Sequence, residues 1–233
     1  RFLLAAMLSV AAAPAWAADR GEARDFLQSG TELFFEGNPR AARIELLNAI
    51  KADPAWALPH AVQGRVYLDL GDGAAAEVEL KRAQAAGMAP DRLAHLFAHA
   101  ALLQGNPDRA LEQANKAAGP PVTLAYAARI AARAAMVLGA MDRAGAELDR
   151  ATQLAPQSSL VWSDVARFRT EMGNIGGAVE AVQRAIALDA DNLEALVLMG
   201  QLVRGQYGLM ASISWFEKAL EIDSTNVTVL GEM

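Results

Sequence analysis

Apolar residues recur along most of this chain at three- and four-residue spacing, the periodicity of amphipathic helices. They fall into segments of about 14 residues, and glycine, asparagine, aspartate or proline breaks the pattern between segments. The pattern repeats every 34 residues. Stepping by that interval from Ala49 reaches Ala83, Ala117, Ala151, Ala185 and Ala219. Seven residues earlier the positions are Ala42, Ala76, Ala110, Ala144, Ala178 and Ser212, all small. A third small column holds Gly30, Gly64, Ala98, Ala132, Ala166 and Gly200. Two antiparallel helices can approach closely only where side chains are small, so these columns predict helix contacts. A glycine column, Gly37, Gly71, Gly105, Gly139 and Gly173, lies between the two segments of each unit and reads as a left-handed helix terminator; Tyr207 stands there in the last unit.

The next residue caps the second helix in four of six units: Asn38, Asp72, Asn106 and Asn174. Pro39 and Pro107 then fall at the first helical position, where a missing N–H is harmless. Second helices end at Asp53-Pro54, Ala155-Pro156, Asp189-Ala190 or Asp223-Ser224, and Asn192 and Asn226 cap the first helices that follow. Gly119-Pro120-Pro121 should shorten the second helix of the third unit or bend the array there, and Tyr207 should give the sixth unit an atypical turn or a local register shift.

These columns resemble the tetratricopeptide repeat, with small residues at positions 8, 20 and 27, Gly at 15 and Pro at 32. The first two repeats carry most of the likeness, in Gly30, Gly37, Ala42, Ala49 and Pro54 and then Gly64, Tyr67, Gly71, Ala76 and Ala83; Trp162 supplies the aromatic at position 4 of the fifth. Six repeats are expected, at 23–56, 57–90, 91–124, 125–158, 159–192 and 193–226, after a lead-in at 18–22. Residues 227–233 read as the start of a further helix or a truncated repeat. The resemblance implies an all-α fold, an α-solenoid in which antiparallel helix pairs build a right-handed superhelix. It also implies that first helices line a concave groove holding a protein or peptide partner. Such units cannot bury their apolar faces alone, so stability is shared between neighbours.

Family positions 2, 5, 9, 12 and 13 of the first helices would face that groove. Position 9 holds Thr31, Arg65, His99, Arg133, Arg167 and Gln201; position 5 adds His95 and Arg129, and position 2 adds Arg24 and Arg92. Asp69 and Glu171 oppose them at position 13, over an apolar floor of Phe34, Leu68, Leu102 and Met136. Two readings of the basic stripe stand side by side. The arginines clamp carboxylates of an acidic partner, or they solvate one face and pair with Asp and Glu of the next helix.

The first seventeen residues, RFLLAAMLSVAAAPAWA, change the picture of location. A short basic start, an apolar run from Phe2 to Ala13 and an Ala15-Trp16-Ala17 site have the layout of a secretory signal peptide, cleaved after Ala17. The exported, periplasmic or secreted chain would have no membrane span, because later uncharged stretches are too short. The net charge of −6 argues against bulk attraction to nucleic acid. Absence of cysteine removes disulfides, thiol catalysis and cysteine-ligated metal.

Little chemistry remains to be placed. His95 and His99 lie four apart on one helical face, but His60 is the only other histidine and no H-E-x-x-H motif completes a metal site, so they are expected to line the groove. No phosphate-cradling glycine loop or G-x-S-x-G elbow occurs, and no catalytic residue, metal or cofactor is expected. Trp56, Trp162 and Trp215 fall at or near helix contacts. The expected function is a non-enzymatic scaffold that binds peptide or protein segments in its concave groove, in an envelope assembly or export system. The alternatives are a regulatory arm of an enzyme with its catalytic domain beyond residue 233, or an acidic-polysaccharide module, for which Phe34, Phe35 and Tyr126 are the main aromatics on offer.

Overall fold

The computed structural model describes residues 15–233, with side chains from Arg20 onward. The expected leader lies outside the described residues except for its last three, which begin the first helix. Thirteen helices and no strand occur among the described residues. The chain divides after Ala89 into two compact units.

The first unit holds two helical hairpins: α1 (Ala15–Phe35) with α2 (Pro39–Ala52), and α3 (Ala57–Asp69) with α4 (Gly73–Ala85). The second unit holds α5 (Pro90–Leu103) with α6 (Pro107–Asn115), α7 (Pro121–Val137) with α8 (Met141–Leu154), α9 (Ser159–Glu171) with α10 (Ile175–Leu188), and α11 (Leu193–Tyr207) with α12 (Leu209–Ile222). A six-residue α13 (Val227–Glu232) follows. The hairpin turns are alike because their chemistry is alike. Gly37, Gly71, Gly105, Gly139 and Gly173 all sit at φ between 72° and 78°, where L side chains are strained. Asn38, Asp72, Asn106 and Asn174 each accept a backbone N–H from three residues on.

Two departures follow from local sequence. The Gly119-Pro120-Pro121 break leaves α6 only nine residues long, against 13 or 14 in the other second helices. Where Tyr207 replaces the turn glycine, α11 runs on through it and Gly208 takes the special backbone, at φ 83° and ψ 173°. The turn glycine is thus displaced by one residue, into a region open essentially to glycine alone.

Packing inside three of the hairpins, α1 with α2, α3 with α4 and α11 with α12, is a knob in a notch. Ala42, Ala76, Ala110, Ala144, Ala178 and Ser212 are fully buried. So are Leu46, Leu80 and Phe216, which point at the glycines of the partner helix. A Cβ added at Gly30 would lie 2.8 Å from Leu46 Cγ, one at Gly64 2.9 Å from Leu80 Cδ2, and one at Gly200 2.4 Å from the Phe216 ring. The largest of the three side chains, Phe216, thus makes the closest approach to its glycine, as close packing allows only where the facing residue is small.

Candidate functional site

The second unit gathers polar side chains on its first helices, α5, α7, α9 and α11. Position 9 of α7 is Arg133, and one turn earlier lies Arg129. Both guanidiniums close on Asp164 of α9: Arg129 Nε donates to Oδ2 at 2.6 Å and Arg133 Nε to Oδ1 at 2.5 Å. Arg133 Nη2 also donates to both carboxylate oxygens of Glu194, in the first turn of α11, at 2.6 Å each. Arg129 Nη2 lies 4.0 Å from Glu194 Oε2. Two cations and two anions thus join three first helices.

Burial orders the four groups. The Asp164 side chain is 0% exposed, Arg129 7%, Arg133 20% and Glu194 36%. Burial opposes the charged form of Asp164, but the Arg129 and Arg133 guanidiniums overcome this and hold its carboxyl below the usual carboxylate range. Burial likewise opposes the charge on Arg133, and the Asp164 and Glu194 carboxylates outweigh it and raise its pKa.

Beside this cluster is an aromatic edge. His99 Nδ1 is 2.5 Å from the Tyr126 hydroxyl oxygen. The His95 ring meets Tyr126 edge-on at 5.5 Å between centroids, and the Arg129 guanidinium lies 5.9 Å from the same ring. His95 and His99 are half-buried, and no group of three or more metal-ligating side chains occurs among the described residues. Leu102 and Met136 are half-buried on this run of first helices, with Leu102 packed on the core formed by α5, α6 and α7. Arg167, at position 9 of α9, is exposed and has no ion pair among the described residues.

The residues expected to line the groove divide between the two units. Phe34, Arg65 and Leu68 belong to the first unit, with the Arg65 guanidinium 6.0 Å from the Phe34 ring. Leu68 is 2% exposed and is core, not groove floor. Arg129 and Arg133 do not offer free guanidiniums, because the reading in which they pair with acids of the neighbouring first helices is the one the geometry realises. Asp69 and Glu171, the acids assigned to oppose them, are both exposed. The partners are instead Asp164 and Glu194, which escaped sequence reasoning. A signal for Asp164 exists: it is an acid in a column otherwise filled by Val62, Leu96, Ile130 and Leu198, with Gln28 the other polar member.

The first unit has a smaller polar cluster. His60 Nδ1 lies 2.6 Å from Glu79 Oε2 and its Nε2 3.2 Å from the Pro54 carbonyl, while Arg82 Nη1 donates to Glu79 Oε1 at 2.6 Å. A cavity of about 540 Å³ opens beside it, lined by Ile50, Pro54, His60, Arg82 and Ala85 among others. The His60 and Glu79 polar groups are spent on each other, on Arg82 and on the Pro54 carbonyl, so the cluster reads as a clasp between α3 and α4.

No family model and no curated protein sequence matches the chain. Solved structures do. A tetratricopeptide repeat protein from Parabacteroides merdae aligns at a TM-score of 0.69 with 15% identity, over 93% of this chain and 87% of that one. PilW, described as a widely conserved type IV pilus biogenesis factor, aligns at 0.62 with 17% identity over 90% and 97%. PilF of Pseudomonas aeruginosa aligns at 0.57 with 17% identity over 91% and 97%. At these identities the likeness is one of fold. With its repeating helix pairs, the chain has the tetratricopeptide repeat fold.

Proposed function

We propose, from the premise of a tetratricopeptide repeat fold, that the protein is a non-enzymatic scaffold and that the first helices of its second unit bind a segment of a partner protein. The observation that carries this reading is the placement of exposed Arg167 on the same run of first helices as the Arg133–Glu194 pair, 20% and 36% exposed, and half-buried His95, His99, Leu102 and Met136. Charged and apolar groups are there side by side, as a surface that reads both charge and shape requires. An acidic segment suits it, because Arg167 is a guanidinium without an internal counter-charge among the described residues.

The setting we assign is the periplasm, in an envelope assembly or export system. The leader-like residues 1–17 support export. No described helix is long and apolar enough to cross a membrane. PilW, which shares the fold, is a type IV pilus biogenesis factor, and that favours an assembly role.

One experiment tests both parts. A photo-crosslinking residue is placed at position 167, or at position 143 on α8, where Arg143 is exposed. The protein is expressed with its own leader in a Gram-negative host and irradiated in the periplasmic fraction. Discrete protein adducts are expected from position 167 and not from 143, on a chain beginning at Ala18. Equal adducts from both positions contradict the site, and retention of residues 1–17 contradicts the export reading.

A further inference from the structure

The two acids that hold the arginine pair are not equivalent. Asp164 has no exposed surface and binds the Nε of both arginines, so no external group can reach its place. Glu194 sits at the rim, 36% exposed, on a longer and more flexible side chain. Both of its oxygens crowd onto the single Nη2 of Arg133, whereas a carboxylate free to choose its approach would spread across two nitrogens of the guanidinium fork. Its second contact, to Arg129, is long at 4.0 Å. The bonding that Glu194 makes is therefore poorer than an incoming carboxylate could make at the same place.

The charge balance points the same way. Arg129, Arg133, Asp164 and Glu194 sum to zero in the closed arrangement. When Glu194 swings out, one positive charge is left at the rim on a guanidinium that is only 20% exposed, where Coulomb interactions are stronger than in bulk water. Arg167 adds a second positive charge on the next first helix. A buried cation stripped of one counter-ion is costly to leave bare and so favours a replacement.

We infer that Glu194 is an internal stand-in for a carboxylate of an acidic peptide segment, and that such a segment binds by displacing it from Arg133. This rests on the reading of the second unit's first helices as a protein-binding face and adds to it the chemistry and the gating of one contact. Binding is then a competition. A single acidic side chain gains little by replacing Glu194, and a segment with several, one on Arg133 and another near Arg167, gains enough to hold the face open. The resting protein is thereby shielded from isolated carboxylates.

The test uses the whole chain and a fluorescein-labelled hexaglutamate peptide, followed by anisotropy at low ionic strength. Glu194→Gln keeps the side-chain volume and removes the competing charge, and about a tenfold lower Kd than the unaltered protein is expected, equivalent to about 1.4 kcal/mol. The gain should vanish in Glu194→Gln with Arg133→Gln. If Glu194→Gln does not fold, Glu194→Asp, whose carboxylate is one methylene further from Arg133, serves instead and should lower the Kd by a smaller factor. A Kd unchanged within twofold, or a gain that survives loss of Arg133, overturns the proposal. If hexagalacturonate binds the variant more tightly than hexaglutamate, the occupant is a glycan and the peptide assignment falls. No binding of hexaglutamate to either protein, with crosslinking from position 167 intact, overturns the carboxylate exchange and leaves the protein-binding reading standing.

Discussion

Asp164→Asn should destabilise the second unit by about 3–5 kcal/mol, the cost of breaking a buried ion pair by removing one partner. Asparagine matches aspartate in shape, so packing is preserved and the loss is electrostatic. Its amide can offer one oxygen to one arginine Nε, but the other guanidinium then faces an N–H donor, and both cations lose their buried counter-charge. A domain of this size loses roughly 2–4 °C of melting temperature per kcal/mol, so the transition of the second unit should fall by roughly 6–20 °C, read by circular dichroism. The combination Arg129→Met, Arg133→Met and Asp164→Leu should recover much of that loss, because replacing a buried ionic cluster with apolar groups of similar volume is often neutral. A single-site loss under 1 kcal/mol would mean that water reaches Asp164 and screens the cluster.

The same group sets an acid limit. The pKa of Asp164 is lowered by folding, so its contribution is fully present above the ordinary aspartate value of about 3.9 and is lost as pH falls through the depressed folded value. Unfolding in acid should therefore steepen below about pH 4, and Asp164→Asn should remove that steepening. Equal acid sensitivity in the two proteins would assign the effect to other carboxylates.

The second large effect lies in the last hairpin. Phe216 has no exposed surface and fills the notch at Gly200. Phe216→Ala should cost about 3–5 kcal/mol through lost transfer energy and the cavity left behind. Gly200→Ala should cost about 1–3 kcal/mol, because its Cβ would stand 2.4 Å from a rigid ring carbon, against a gain of about 1 kcal/mol from better helix propensity. Gly205, in the same helix with open space around it, isolates that propensity gain: Gly205→Ala should be neutral or stabilising. Combining Gly200→Ala with Phe216→Leu should give less than the sum of the two losses, since the smaller side chain makes room for the methyl. Strict additivity would mean that the notch and the ring do not limit one another.

Much of the fold is written in small residues. The 34-residue recurrence of alanine and glycine marks where helices touch, and Gly37, Gly71, Gly105, Gly139 and Gly173 mark where hairpins turn, because neither role tolerates a larger or β-branched side chain. Tyr207 announces that the sixth turn differs, and Gly208, next to it, supplies the backbone that Tyr207 cannot. The functional face is less legible. Position 9 identifies Arg133 and Arg167 as equivalent, yet the first is held by two acids and the second by none among the described residues. What separates them is Asp164, one position of one repeat, which periodicity averages away. Sequence spacing places a side chain on a face; whether its charge is already matched depends on neighbours 31 and 61 residues distant.

Capture of the partner by charge-altered protein tests the central claim most directly. Arg167→Glu and Arg143→Glu change the net charge equally, both residues are exposed, and neither has an ion pair among the described residues. They differ in that Arg167 is on first helix α9 and Arg143 on second helix α8. With the crosslinked partner in hand, its Kd should rise by at least about tenfold in Arg167→Glu, equivalent to about 1.4 kcal/mol, with the melting temperature unchanged, and should stay within twofold in Arg143→Glu. If Arg143→Glu weakens binding as much, overall charge rather than the first-helix face governs recognition, and the site assigned to the second unit is wrong.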